Sequence, residues 1–237
     1  MKFPDKIIKV NLSNGLVKKE NISGDILRKF LGGRGLNAYF LLKYTNKKIK
    51  AFDPDNILIF SCGLLTGTNA LSSSRIHVGA ISPLTNLLGS SNAGGFFGAE
   101  MKACGIISLL ITGKAKKPVF LYIQDEDVQI KDATKLWELS TYETQEKIQQ
   151  QIGGNSVRFA VIGPAGEKLV NISSIIFSSG DAAGRTGLGA VMGSKNLKGI
   201  AVRATKKFHA LKTERIKEIT KRYLNEIKNS PGYEEYS

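Results

Sequence analysis

Apolar positions near the N-terminus alternate with polar ones: Ile7, Val10 and Leu12 are interleaved, Ser13-Asn14-Gly15 supplies a turn, and Val17 and Ile22 resume the pattern. That spacing predicts a two-stranded hairpin. From Gly24-Asp25 the period changes. Ile26, Leu27, Phe30 and Leu31, then Leu36, Tyr39, Phe40 and Leu41, recur at helical spacing, and Gly32-Gly33-Arg34-Gly35 between them is expected to break or kink the helix. Residues 56–61 and 75–81 read as strands joined by a Gly/Thr/Ser-rich connection over 63–74.

Beyond this lie a Gly-, Ser- and Asn-rich loop over 89–98, a short helix near 99–103, and strands near 106–112, 119–124 and 128–131, with Asp125-Glu126-Asp127 turning the last hairpin. Residues 133–139 and 141–152 read as helical, the second helix ending at Gly153-Gly154-Asn155. Strands are expected at 157–162 and 171–177, then a second Gly-rich loop over 180–189, a helix near 190–197 and a strand at 199–203. A charged amphipathic helix follows over 213–229, with Ile216, Ile219, Tyr223 and Ile227 at spacings of three and four. The fold class is therefore α+β and rich in sheet.

Composition narrows the classes. With 237 residues, 42% of them hydrophobic and 23% charged, the chain has the makings of an ordinary globular core, read here as one domain plus a tail. The longest apolar runs, 106–111 and 119–123, are of strand length, short of the roughly 20 residues that span a bilayer. Met1-Lys2-Phe3-Pro4-Asp5-Lys6 places charges and a proline where a signal peptide needs an apolar segment, so no membrane partner and a cytoplasmic location are expected. The net charge of +14 raises nucleic acid as a partner. Its lysine pairs (Lys18-Lys19, Lys47-Lys48, Lys116-Lys117 and Lys206-Lys207) are scattered and accompany no nucleic-acid-binding motif, which argues against that partner. An anionic cofactor or an acidic electron-transfer partner suits the same charge. Cys62 and Cys104 sit in apolar surroundings and belong to no ligand motif. A [4Fe–4S] cluster takes four thiolates, so two cysteines cannot hold one. His77 and His209 form no cluster and are given no catalytic role.

The two Gly-rich loops resemble each other. Ser91-Asn92-Ala93-Gly94-Gly95-Phe96-Phe97-Gly98-Ala99-Glu100-Met101 leads to Gly105-Ile106, and Asp181-Ala182-Ala183-Gly184-Arg185-Thr186-Gly187-Leu188-Gly189-Ala190-Val191-Met192 leads to Gly199-Ile200. Both run loop, Gly-Ala-x-Met, helix, Gly-Ile, strand. Glycines let a backbone approach a ligand and present successive N–H groups, and a helix start adds partial positive charge, so each unit suits an anion such as phosphate. Tight turns in a sheet-rich fold would use glycine equally well. Neither loop has the Walker Gly-Lys-[Ser/Thr] ending or a Rossmann fingerprint. Arg75 and Arg185 are the arginines beside these segments that could clamp a phosphate.

Taken together, Leu65-Thr66-Gly67-Thr68, Arg75, Ser82-Pro83-Leu84-Thr85, Asn92 to Glu100, Ile162-Gly163-Pro164-Ala165-Gly166-Glu167, Ala182-Ala183-Gly184-Arg185 and Gly189 to Lys198 resemble the aldehyde:ferredoxin oxidoreductase family, in the family's order. Val10-Asn11-Leu12-Ser13 and Gly32-Gly33-Arg34-Gly35-Leu36 extend the resemblance over nearly all of residues 6–205. Leu64 stands where the family has proline, and the stretch before Ala182 is one residue short.

The resemblance implies an N-terminal domain (1–207) whose sheets are related by a pseudo-twofold and flanked by short helices, followed by the start of a truncated helical domain (208–237). It implies a bis-pterin tungsten cofactor (tungstopterin), or its molybdenum equivalent, and a magnesium ion joining the pterin phosphates. Backbone carbonyls of Asn92 and of Ala182 or Ala183 would hold that ion, while Arg75, Ala93, Gly94, Gly95, Gly184 and Arg185 would line the pterins. Arg75 would lie between pterin and iron–sulfur cluster. The activity implied is oxidation of aldehydes to carboxylic acids, with electrons passing to ferredoxin. The [4Fe–4S] cluster and the catalytic acid and base would come from helical domains beyond Pro231-Gly232-Tyr233, so this chain alone is expected to bind cofactor rather than turn over. A stand-alone pterin-binding module, or one subunit of a split enzyme completed by a separate cluster-bearing chain, is the alternative; a homodimer is compatible with either.

Overall fold

The computed structural model describes residues 5–154, 156–206 and 213–233. Asn155, His209 and the 207/208 domain boundary expected above lie outside the described residues. The first half of the chain runs β1 (Lys6–Asn11), β2 (Leu16–Asn21), α1 (Gly24–Phe30), α2 (Gly33–Tyr44), β3 (Leu58–Cys62), β4 (Ile76–Ile81), β5 (Leu88–Ala93), α3 (Phe97–Ala103) and β6 (Ile106–Thr112). The second runs β7 (Val119–Gln124), β8 (Asp127–Asp132), α4 (Thr141–Ile152), β9 (Arg158–Val161), α5 (Pro164–Glu167), β10 (Ile175–Phe177), β11 (Ala182–Ala183), α6 (Leu188–Ser194) and β12 (Leu197–Arg203), with α7 (Thr213–Lys228) after it.

Each half builds one six-stranded sheet. The orders are β2-β1-β6-β3-β4-β5 and, read from the equivalent end, β8-β7-β12-β9-β10-β11. In each, the second and third strands are parallel and every other pair is antiparallel. Even the irregularities repeat: the β1–β6 ladder skips Ile107 and the β7–β12 ladder skips Lys198, at matching places. The two central strands of the first sheet, β3 and β6, are apolar or small almost throughout, because a strand covered on both faces has no polar side to present.

The short helices α3 and α6 lie between the sheets, and each packs on the other half's sheet: α3 on β9 and β12, α6 on β3 and β4. Phe97 of α3 carries much of this contact, its ring lying 5.1 Å from that of Phe177 and 6.3 Å from that of Phe60. Helix α2 covers the outer face of the first sheet and α4 that of the second, where Phe120, Phe159 and Ile148 form a smaller core.

The glycine patch ends α1 as expected. Leu31 takes a left-handed conformation and Gly32 follows at φ +80, bridged to Gly63; a Cβ there would lie 2.4 Å from the Cys62 carbonyl oxygen. Helix α4 starts on a capping box in which Ser140 and Glu143 satisfy each other's backbone N–H.

Several expectations change. Residues 88–93 are a strand, not part of a loop, because the ladder to β4 overrides the poor strand preference of Gly, Ser and Asn. Ala182–Ala183 likewise pair with β10. Within 133–139 only Thr134–Leu136 forms a helical turn, of the 3-10 kind, since Trp137 is extended and Glu138 left-handed before the α4 cap. The strand expected over 171–177 shrinks to β10, and α5 appears before it with Pro164 in its first turn, where a missing N–H costs nothing. No helix among the described residues is long and apolar enough to cross a membrane.

Among the described residues, three lysines are completely buried: Lys102, Lys195 and Lys198. Lys198 pairs with buried Glu167 and donates to the Leu139 carbonyl at 2.8 Å. Lys195 has no carboxylate in ion-pair range among the described residues; its Nζ donates to the carbonyls of Pro54 at 3.0 Å and Gly113 at 3.5 Å, tying the second half to the first. Burial pushes the Lys195 ammonium down to about 7, the nearby Asp55 and Asp53 carboxylates opposing the shift. Its folded pKa is thus below the unfolded 10.5, so the unfolded chain holds more protons across that window and stability rises with pH from about 7 upward. Lys195→Met should flatten the rise in Tm between pH 7 and 9.5 in thermal melts. An unchanged slope would show that Lys195 does not titrate there.

Candidate functional site

Strands β5 and β11 are the edge strands at the equivalent ends of the two sheets, and they lie against each other. The registers match position for position: Ala93 pairs with Ile76 as Ala183 pairs with Ile175. Asn92 therefore corresponds to Ala182, Ser91 to Asp181, Arg75 to Ser174 and His77 to Ile176.

This meeting brings the candidate residues of both loops together. The Arg185 N–H donates to Ser91 Oγ at 3.2 Å, and Ser82 Oγ donates to the Thr186 carbonyl at 2.8 Å. In the opposite sense, the Asp181 carboxylate reaches Gly94 and Gly95: Cβ atoms added there would lie 3.1 Å from its Oδ1 and 2.5 Å from its Oδ2. The equivalent residues Ser91 and Asp181 thus each reach across to the other half's loop. Ala93 and Ala183 are buried, Asn92, Gly94 and Gly95 are half-buried, and Ala182, Gly184 and Arg185 are exposed.

Arg75 belongs to the first loop's surroundings. Its Nη1 donates to Asn92 Oδ1 at 3.1 Å, and the neighbouring Ser74 Oγ donates to the Gly95 carbonyl at 2.6 Å. Arg75 and His77 line a cleft of about 390 Å³ with Leu31, Leu64, Leu65 and Thr66. Burial, then the Arg34 and Arg75 cations, push the His77 imidazole below its ordinary value, so it is neutral at neutral pH. Its Nδ1 is buried without a hydrogen-bond partner among the described residues, as are both amide atoms of Asn37 and Ser90 Oγ. These belong to α2, β4 and β5.

Helix dipoles add less than the loop sequences suggested. Helices α3 and α6 have seven residues each, about 10 Å of axis, and neither has a side-chain cap. What remains for an anion is backbone N–H at the glycines and the guanidinium groups of Arg75 and Arg185. The two halves are unequal, because Ser174 and Ala182 stand in the second where Arg75 and Asn92 stand in the first. Ser91, Asp181 and Thr66 stand in the sequence motifs without a site role, and Ser74 only within the 63–74 connection. Aligning the two loops was the available signal for Ser91 and Asp181.

Both cysteines are buried. Burial pushes the Cys62 and Cys104 thiols up to about 12. No group of three or more His, Cys, Asp or Glu that could hold a metal occurs among the described residues.

Gly95→Ala should cost about 1–2 kcal/mol from the left-handed backbone alone, since Gly95 has φ +73, and more from the clash with Asp181. In urea unfolding the cost should shrink in an Asp181→Ala background. Equal costs in both backgrounds would mean the two loops do not press on each other.

Comparison with known proteins gives concordant results. A model of the aldehyde ferredoxin oxidoreductase N-terminal domain matches residues 7–204. The tungsten-containing aldehyde ferredoxin oxidoreductase of Pyrococcus abyssi is 43% identical over 226 residues, which are 95% of this chain and 37% of that protein. The WOR-like subunit of the aliphatic sulfonate oxidoreductase of Pyrococcus furiosus is 34% identical over 86% of this chain and 35% of its own. Among solved structures, the active-site complex BamBC of benzoyl coenzyme A reductase, with 1,5-dienoyl-CoA, matches with TM-score 0.92 and 35% identity over 95% of this chain and 34% of that one. The chain thus spans little more than a third of the length of these relatives. With duplicated six-stranded sheets, paired loops at their meeting edges and a family match over nearly its whole length, the chain belongs to the aldehyde ferredoxin oxidoreductase family, as its N-terminal domain.

Proposed function

We propose that this chain binds a bis-pterin tungsten or molybdenum cofactor across the junction of its two Gly-rich loops. The observation that carries the reading is the register-matched meeting of β5 and β11, which places two equivalent backbone segments side by side for a ligand with two equivalent arms. In this reading the backbone carbonyls of Asn92 and Ala182 would hold a magnesium ion, which would offset the negative charge of the pterin phosphates. Backbone oxygens are ligands that a hard cation accepts. Arg75 would grip one arm, with its terminal Nη1 held by Asn92 Oδ1; Gly94, Gly95, Gly184 and Arg185 would line the rest, with Ala93 and Ala183 packed beneath them. The missing side chains of Gly94 and Gly95 leave room for the Asp181 carboxylate from the other loop, and the exposed Arg185 would close the second arm. The bound metal–dithiolene group supplies the oxidation–reduction chemistry, while the protein positions it and sets its electrostatic surroundings.

At the level of a full-length protein, the name of the Pyrococcus abyssi relative, an aldehyde ferredoxin oxidoreductase, supports aldehyde oxidation with ferredoxin as electron acceptor. A [4Fe–4S] cluster would then be supplied by cysteines outside this chain. The Pyrococcus furiosus relative is described as a subunit, which supports assembly with other chains.

The test is metal and pterin analysis of protein purified anaerobically from its own host. The expected ratio is about one tungsten or molybdenum to two pterins. Arg75→Ala and Arg185→Ala should each lower pterin per chain, Arg75→Ala more, without a matching loss of Tm. Preparations that hold neither metal nor pterin would overturn the assignment.

A further inference from the structure

Arg75 is held by more than its contact with Asn92. Thr66, 1% exposed, donates its hydroxyl to the Arg75 carbonyl at 2.8 Å, with the Ser73 carbonyl at 3.2 Å sharing the proton, and accepts from the Gly63 N–H at 3.2 Å. Its methyl faces α3 at Gly98. A Cβ on Gly98 would lie 3.1 Å from Thr66 Cγ2 and 3.3 Å from the Arg75 carbonyl oxygen, so the glycine lets both approach the helix. One turn along α3, Lys102 Nζ donates to the carbonyls of Gly63 and Leu64, and Cys62 Sγ donates to the Gly98 carbonyl at 3.1 Å. With Ser74 bound to Gly95, the 62–75 connection is fastened to the loop-and-helix unit at both ends. The second half has no counterpart, since Ser174 replaces Arg75 and Gly193 replaces Lys102 at matching positions before the bulge.

We propose that Thr66 is a positioning residue of the cofactor site: its buried hydroxyl fixes the backbone of Arg75 so that the guanidinium stands against Asn92, while Lys102 fixes the turn from which Thr66 projects. The physical reason is leverage. An arginine side chain is long and freely rotating, and binding sites lose function when groups move by about half an ångström. Removing the hydroxyl while keeping the branched shape takes the Thr66 hydrogen bond from the Arg75 carbonyl and from the Gly63 N–H, while the Ser73 carbonyl keeps the Arg75 N–H at 2.9 Å, and the segment shifts to regain a partner. The functional readout rests on the pterin-binding reading above; the structural readout does not.

The test uses Thr66→Val, Thr66→Ser, Arg75→Ala and the Thr66→Val/Arg75→Ala pair in the whole protein, purified anaerobically. Thr66→Val should retain about fivefold less pterin per chain, the factor that one lost hydrogen bond corresponds to. Thr66→Ser should restore the wild-type content, and the double variant should lose no more than Arg75→Ala alone. A crystal structure of Thr66→Val should show Arg75 withdrawn from Asn92 with α3 still packed on β9 and β12. Should Thr66→Val not fold, Ser74→Ala removes the tie to Gly95 and should lower pterin in the same direction. Wild-type pterin content in the folded hydroxyl-free variant, losses that add in the double variant, or Arg75 unmoved in the crystal would each overturn the proposal. If the wild type holds no pterin, the functional reading falls, and the position of Arg75 in the crystal still decides whether Thr66 clamps it.

Discussion

Helix α3 leaves the first half to pack on β9 and β12, and α6 leaves the second to pack on β3 and β4. This exchange has one geometric consequence on which the rest depends. Each helix begins where its Gly-rich loop ends, so burying both helices in a shared interior draws both loops to the same line, where β5 meets β11. Phe97, fully buried between Phe60 and Phe177, shows how firmly that interior is filled. An edge strand offers unpaired backbone groups, and here two such edges, β5 and β11, meet.

Near-symmetry of backbone coexists with asymmetry of side chains. The bulges at Ile107 and Lys198 and the left-handed turns at Gly105 and Asn196 recur in both halves, so the backbone plan is common. Side chains differ more than backbone. The first half has Arg75, Asn92 and His77 beside its loop, and Thr66, Ser74 and Lys102 bond the neighbouring backbone carbonyls. The second uses its buried lysines differently: Lys198 pairs with Glu167, and Lys195 caps carbonyls of the first half. A strong positive balance across the whole chain therefore has a buried component as well as a surface one, which a bare charge count does not reveal.

Much of the fold is legible in the residue pattern. Apolar runs such as 106–112 and 119–124 are strands because only a strand of that length buries all its side chains between two layers. The period change after Gly24 marks α1 and α2, and the cluster at Gly32 breaks them because no other residue fits beneath the Cys62 carbonyl. The resemblance between the two loops is also in the sequence, and with it the expectation of two anion-handling units. Tertiary structure alone decided that Gly89-Ser90-Ser91-Asn92 is a strand, since its residues have little strand preference and acquire it from the β4 ladder. It alone decided that Ser91 and Asp181 cross between loops, that Arg75 meets Asn92, and that Thr66 and Lys102 stand behind them. These are contacts between residues far apart in the chain, made by side chains whose types carry no periodic signal. Local pattern reports which face of an element is buried; it cannot report which distant backbone carbonyl a buried hydroxyl or ammonium will find.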